Sequence, residues 1–323
     1  MRPLIVIVTV AISLLVIPVA GDAYAAEMHR VGTLFPPVIH KTFRIEVFQQ
    51  GLRDLGYVEG ENYVLESRLT GKQDFYRPGL AKELVSSGVD VIVTSEIAGG
   101  RAAKEATETI PIVVLNCDPY DVLIETLARP GGNVTGQTCM TSETTPKKLE
   151  FFKMAIPHLA RVAYLYNPKQ PGPTLGLRLA ETAGRSLGFT VHPVEVSDAG
   201  DFKQAFAKIT SEQVDGIFVY HDFVTAGQRP RIIEFAAQSK LPAMYGFGSW
   251  TRAGGLMSYG TNLAAMYRRA GRQVAKILGG ESPANMPVEQ PTTFEFIVNL
   301  KTAKALGITI PQSVLLRVDE VIE

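Results

Sequence analysis

Four short stretches of this chain recur, in the same order, further along it. HRVGTLF (29–35) matches ARVAYLY (160–166), and GLRDLGY (51–57) matches AGRSLGF (183–189). VDVIVTS (89–95) matches VDGIFVY (214–220), and TIPIVVL (109–115) matches KLPAMYG (240–246). The offsets stay between 125 and 132 positions. Each match is weak, but four in register require two halves that fold alike. The apolar runs read as buried strands. The Leu-Gly-aromatic segments close helical patterns, where Gly is a natural stop.

Helical spacing links these runs: Phe43, Val47, Phe48, Leu52 and Leu55; Leu80, Leu84 and Val85; Leu175, Leu179 and Ala183; Ile232, Ile233 and Ala236. Strand and helix therefore alternate twice over, which gives right-handed βαβ units. The expected fold is α/β, with two similar doubly wound parallel-sheet lobes. Ligands of such sheets sit beyond the carboxyl ends of the strands, so two facing lobes share one cleft.

The tail is more complex. GLMSYG (255–260) reads as a strand, and Ala265 to Leu278 as a helix stopped by Gly279-Gly280. Pro283, Pro287 and Pro291 punctuate an extended connection, followed by a strand over 293–299 and a short helix over 301–307. A tail that recrosses makes a multi-segment hinge. The expected lobes are 26–136 with 255–291, and 137–254 with 292–323, the run Ala128–Gly136 forming the crossover.

The first 25 residues stand apart. Met1-Arg2 is positive, Pro3 to Ala20 is apolar and uncharged, and Ala23-Tyr24-Ala25 fits the small-x-small cleavage rule. This reads as an export signal over 1–25, cut near Ala25, and a periplasmic location. An uncleaved anchor is the alternative, since the apolar run reaches the ~18 residues of a candidate span. Lys+Arg and Asp+Glu are both 32, giving zero net charge, which argues against a nucleic-acid partner. Cys117 and Cys139 could pair in an exported protein. Spacing does not decide this, and residue type alone favours two buried thiols. The five His have no zinc-ligand spacing, so no metal is expected.

Catalytic and cofactor motifs are missing. The loop after the first strand is LFPPVIH (34–40), whose prolines cannot donate N–H bonds to a pyrophosphate. Neither a P-loop nor a G-x-S-x-G elbow occurs. The expectation is binding without turnover and without a cofactor; a two-lobed α/β enzyme is the weaker alternative.

Several segments together resemble a known family. These are GLRDLGYVEGEN, IPIVV with the following DP, LARPGGNVTG, GGLMSYG, VEQPTTFEFIVNLKTAKALG and the closing DEVIE. They are similar to the periplasmic substrate-binding proteins of an ABC importer family related to tryptophan- and tyrosine-type aromatic amino acid binding proteins. The resemblance runs from about His29 to the end of the chain. It implies a type I periplasmic binding fold and hinge closure on a small-molecule ligand, an amino acid or a related small molecule. The implied partners are an inner-membrane ABC permease and its ATPase, with this chain acting as a monomer. An exported sensor of the same fold, signalling to a receptor, is the other reading.

The strand-end rule places the candidate ligand-binding residues at Phe35, Ser95, Glu96, Asn116, Asp118, Thr138, Asn167, His221 and Tyr245. Ser95 suits an N-cap, and Glu96 in the first turn gains roughly 0.3–1 kcal/mol from the helix dipole. Glu96 either caps that helix or faces a positive ligand group; relatives carry small residues here, so it departs from their pattern. Asp118-Pro119 also suits a helix start. His221 and Asp222 bond each other or a ligand. Among Phe35, Tyr120, Tyr220, Tyr245, Phe247 and Trp250, the ring-stacking candidates chosen are Phe35 and Tyr245.

Overall fold

The computed structural model describes residues 28–35, 45–69, 78–117 and 123–323, Glu96 by its backbone alone. The expected export signal, Phe43, Asp118 and Tyr120 lie outside these residues.

The first lobe begins with β1 (His29–Phe35), α1 (Ile45–Arg53), β2 (Tyr63–Leu69) and α2 (Pro78–Ser86). It continues through β3 (Val91–Ser95), α3 (Glu96–Ala106), β4 (Ile112–Asn116) and β5 (Val134–Thr138). Every residue of β3, β4 and β5 is buried, the apolar runs of β3 and β4 and the largely polar VTGQT of β5 alike, because a parallel sheet is covered on both faces. The strand order is β2-β1-β3-β4-β5, parallel throughout.

The second lobe opens with α4 (Thr145–Ala155), β6 (Arg161–Tyr166), α5 (Pro171–Leu187), β7 (Thr190–Glu195), α6 (Phe202–Ser211) and β8 (Gly216–Val219). Then come α7 (Phe223–Gly227), α8 (Arg229–Gln238), β9 (Ala243–Tyr245), α9 (Gly248–Thr251) and β10 (Met257–Thr261). The order β7-β6-β8-β9-β10 repeats that of the first sheet, strand for strand. The internal repeat is thus a repeat of topology. On α5 the buried face is Gly176, Ala180 and Gly184, with Leu175 and Leu179 only half-buried. A methyl at Gly176 would meet the Tyr164 hydroxyl at 2.4 Å, so small residues set how closely α5 approaches its sheet.

After β10 the chain returns to the first lobe as α10 (Leu263–Leu278), which packs on α1. It then crosses back as β11 (Phe294–Asn299), α11 (Leu300–Leu306), α12 (Gln312–Leu315) and β12 (Glu320–Ile322). β11 re-enters from the hinge side, so it runs antiparallel to β10, an exception to the expected parallel order. Met257–Thr261 belongs to the second sheet, not to the lobe expected for 255–291. The run 128–136 leads into β5, so the first crossing follows Thr138 rather than falling within that run. Asn133 donates to the carbonyls of Thr107 and Ile110 at 3.0 and 2.9 Å, fixing the approach to β5.

The α1–α10 crossing is closer than side chains permit. A methyl at Gly51 would lie 2.0 Å from the Arg268 carbonyl oxygen, and one at Gly271 2.1 Å from that of Phe48. Asp54 accepts from Arg268 and Arg272 at 2.8 and 2.7 Å beside this contact. Gly271→Ala should therefore force the helices apart and lower the unfolding free energy by roughly 1–3 kcal/mol, read by urea unfolding. An unchanged midpoint would contradict the close crossing.

One charge sits in the second lobe's core. Lys148 on α4 is 1% exposed, and its Nζ donates to the Thr141 carbonyl at 2.9 Å. Burial pushes its pKa from 10.5 down to about 7, against the pull of Glu143. Between those values the unfolded chain holds a proton that the folded chain lacks, so stability rises with pH across that window. Relative to Lys148→Met, the wild type should gain up to about 1.4 kcal/mol per pH unit between pH 7 and 10. Parallel stability curves for the two proteins would show that Lys148 stays charged in the fold.

Candidate functional site

Strand ends of both lobes and the start of α10 enclose a cavity of about 590 Å³. The first lobe supplies Ser95, Ile97 and Ala98 from the β3–α3 junction, then Leu115, Asn116 and Cys117 from the end of β4. The second supplies Asn167 and Gln170 after β6, His221 and Asp222 after β8, Arg229 on α8, and Phe247 to Trp250 after β9. Asn262, Leu263, Met266, Tyr267 and Glu295 close the hinge side.

Cys117 and Cys139 are joined by a disulfide, with a sequence separation of 22. The thiol reading is corrected: the ends of β4 and β5 are neighbours in the sheet, so the two side chains meet at the cavity wall. No signal in the spacing carries this pairing.

Of the nine candidate residues, Ser95, Asn116, Asn167 and His221 line the cavity. Phe35 does not; it is buried in the hydrophobic core. Tyr245 lies one layer behind, stacked on Trp250 with ring centroids 4.9 Å apart. The lining aromatics are instead Phe223, Phe247, Trp250 and Tyr267. Tyr245 still belongs to the sheet, whereas Phe247 stands past the strand end, at the N-cap position of α9, where the chain has left the sheet and its ring faces the cavity. Thr138 is buried away from the cavity, its hydroxyl accepting from the Met140 amide at 3.3 Å. Asp118 and the side chain of Glu96 lie outside the described structure, so both readings of Glu96 stand as they were.

Ser95 occupies the N-cap position of α3, but its hydroxyl makes no capping bond. That oxygen is buried and unpartnered at the cavity wall. The capping expectation therefore fails for the side chain, leaving the hydroxyl available to an occupant of the cavity.

His221 and Asp222 do not bond each other; each has its own partner. The Trp250 indole N–H donates to His221 Nδ1 at 3.1 Å, so the neutral ring carries its proton on Nε2. Burial pushes the His221 pKa down to about 3, with the charges of Lys148 and Arg229 adding to it. The ring edge packs on Phe247 at 4.5 Å. Asp222 caps α7: its Oδ1 accepts from the Thr225 amide at 2.8 Å, and the Thr225 hydroxyl closes the box. Its Oδ2 is buried with no partner. Burial raises the Asp222 pKa, while Thr225 and Asn167 beside it pull the other way.

Near the hinge, charge is compensated among the described residues. Arg252 donates to Glu320 at 3.1 Å and to Glu295 at 3.3 Å, and Glu295 also accepts from Asn262 at 3.2 Å. Among the described residues no group of three or more His, Cys, Asp or Glu could hold a metal. Strand-end reasoning missed Arg229 and the α10 residues. Arg229 follows β8 only after the short helix α7, and α10 reaches the cleft from the hinge, beyond the reach of that rule.

Known proteins are similar in both sequence and shape. Residues 40–322 match the ABC transporter substrate binding protein family. A tyrosine-binding protein of Clostridioides difficile is 25% identical over 261 residues, 80% of this chain and 75% of that protein. The crystal structure of an ABC domain from Streptococcus pneumoniae in complex with L-Trp superposes with a TM-score of 0.81 at 25% identity, covering 92% of this chain and 100% of that one. The ligand-free, open structure of a Clostridium difficile substrate binding protein with adhesive properties gives a TM-score of 0.70 at 24% identity, covering 92% and 99%. The paired sheets are those of the type I periplasmic binding fold. With more than four-fifths of its length matched, the chain belongs to the ABC transporter substrate binding protein family.

Proposed function

We propose that this protein is the exported solute-binding component of an ABC importer, working as a monomer in the periplasm. It captures an aromatic amino acid between its lobes and delivers it to an inner-membrane permease with its ATPase. The observation that carries this reading is the pair of buried, unpartnered polar atoms in one cavity, Ser95 Oγ on the first lobe and Asp222 Oδ2 on the second. An unpaired buried acceptor is costly unless an occupant satisfies it. A ligand ammonium satisfies Asp222. The Ser95 hydroxyl and the N-terminus of α3 suit the carboxylate. Phe247, Trp250 and Tyr267 offer ring faces and edges to the side chain. The tyrosine-binding and L-Trp-bound relatives favour an aromatic amino acid. Each lobe holds one end of the ligand, so closure gains contacts that the open state lacks, and this difference drives the hinge.

Thermal shift of the refolded mature chain against L-tryptophan, L-tyrosine and L-phenylalanine tests the reading. Ligand at 100 times its dissociation constant should add about 2.7 kcal/mol. Asp222→Asn keeps an N-cap residue on α7 yet removes the charge. It should weaken binding at least tenfold, as loss of a charge-assisted bond worth ~1.5–3 kcal/mol implies. A folded protein that responds to none of the three would rule the assignment out.

A further inference from the structure

Arg229 is the first residue of α8 and lines the cleft from the second lobe. Among the described residues it makes no hydrogen bond or ion pair. Among the described residues, the other charged groups bordering this region each have a partner. Arg252 is held by Glu320 and Glu295, and Glu295 by Arg252 and Asn262. Asp222 is turned to Thr225 through Oδ1 and forms no ion pair with Arg229, although both border the same cavity. Two residues on, Arg231 donates to the Ala199 carbonyl at 3.2 Å and to Gln228 at 2.9 Å, and lies over the Phe202 ring.

Arg229 does nothing for its helix. A cation at the first helical position opposes the positive end of the helix dipole. Its placement is thus electrostatically adverse to α8 and is uncompensated by any contact. A ligand that fills the cavity strips water from the guanidinium, and an ion buried without a counter-ion is strongly disfavoured. No described residue supplies that counter-ion through an ion pair, and a ligand anion can. A planar guanidinium fork matches a carboxylate by two parallel bonds.

On the reading above, Asp222 takes the ligand ammonium and Ser95 with α3 takes the α-carboxylate, which leaves Arg229 for another group. We propose that Arg229 is a specificity-determining residue that receives an anionic group at the end of the ligand side chain, so that the cleft selects acid-bearing aromatic amino acids over neutral ones. This inference rests on the proposed function and narrows its ligand class.

Calorimetry with L-phenylalanine and 4-carboxy-L-phenylalanine separates the two claims. The wild type should bind the carboxylated probe at least tenfold more tightly. Arg229→Gln should erase that preference while leaving L-phenylalanine affinity within about twofold, and Arg229→Lys should keep part of it. The melting temperature of Arg229→Gln should hold or rise, because an adverse helix charge is gone. Equal affinity of the wild type for both probes would overturn the inference and leave the amino acid assignment standing. So would an equal loss of both probes in Arg229→Gln, which would pair Arg229 with the protein or the α-carboxylate. Binding of neither probe, nor of L-tryptophan or L-tyrosine, by the folded wild type would overturn both claims.

Discussion

The five repeated strands of each doubly wound sheet run toward the cleft, with only the returning β11 and β12 opposed, and the rest of the molecule depends on this. In a parallel sheet the backbone groups within the strands are paired, and the helices cover both faces. Side chains at the carboxyl edge are the ones left without sheet partners. Repeating the order 2-1-3-4-5 in the second lobe makes a second such edge, and the recrossing tail turns the two toward one cavity. Ser95, Asn116, Asn167 and His221 meet there because each stands at, or just past, a strand end.

The same constraint explains what could be read from the amino-acid string. Buried strands such as VIVTS leave continuous apolar runs, and helix stops such as Gly279-Gly280 leave glycines, so architecture and repeat were legible. Depth at a strand end was not. Phe35 and Tyr245 end their strands and turn into the core or behind Trp250, whereas Phe247 is two residues beyond β9 and faces the cavity. The Cys117–Cys139 pair was illegible for another reason. Its partners are adjacent only through the β4–β5 register, which no local pattern encodes. The place of β10 was misjudged because a strand followed by a long helix looks the same whichever lobe that helix packs on.

Polar satisfaction divides the cleft into two zones. Near the hinge, Arg252, Glu295, Glu320 and Asn262 close on one another, so this side is a structural clamp between β11, β12 and the start of α10. Deeper on the second lobe, His221 is held neutral by its surroundings and by Trp250, Asp222 keeps one oxygen unused, and Arg229 is unmatched. The first zone is complete without an occupant and the second is not. Pre-organised partners, with Thr225 fixing Asp222 and Trp250 fixing His221, mean little ordering remains for a ligand to impose.

Trp250 carries a consequence of its own. It is the single tryptophan among 323 residues, and it sits at the cavity wall, stacked on Tyr245 and bonded to His221. The indole emission of the whole protein is therefore the emission of this cavity wall. Nothing elsewhere in the chain dilutes it, so the spectral position and quenching of one chromophore record the cleft's polarity, its hydration and the approach of any second ring, without a label.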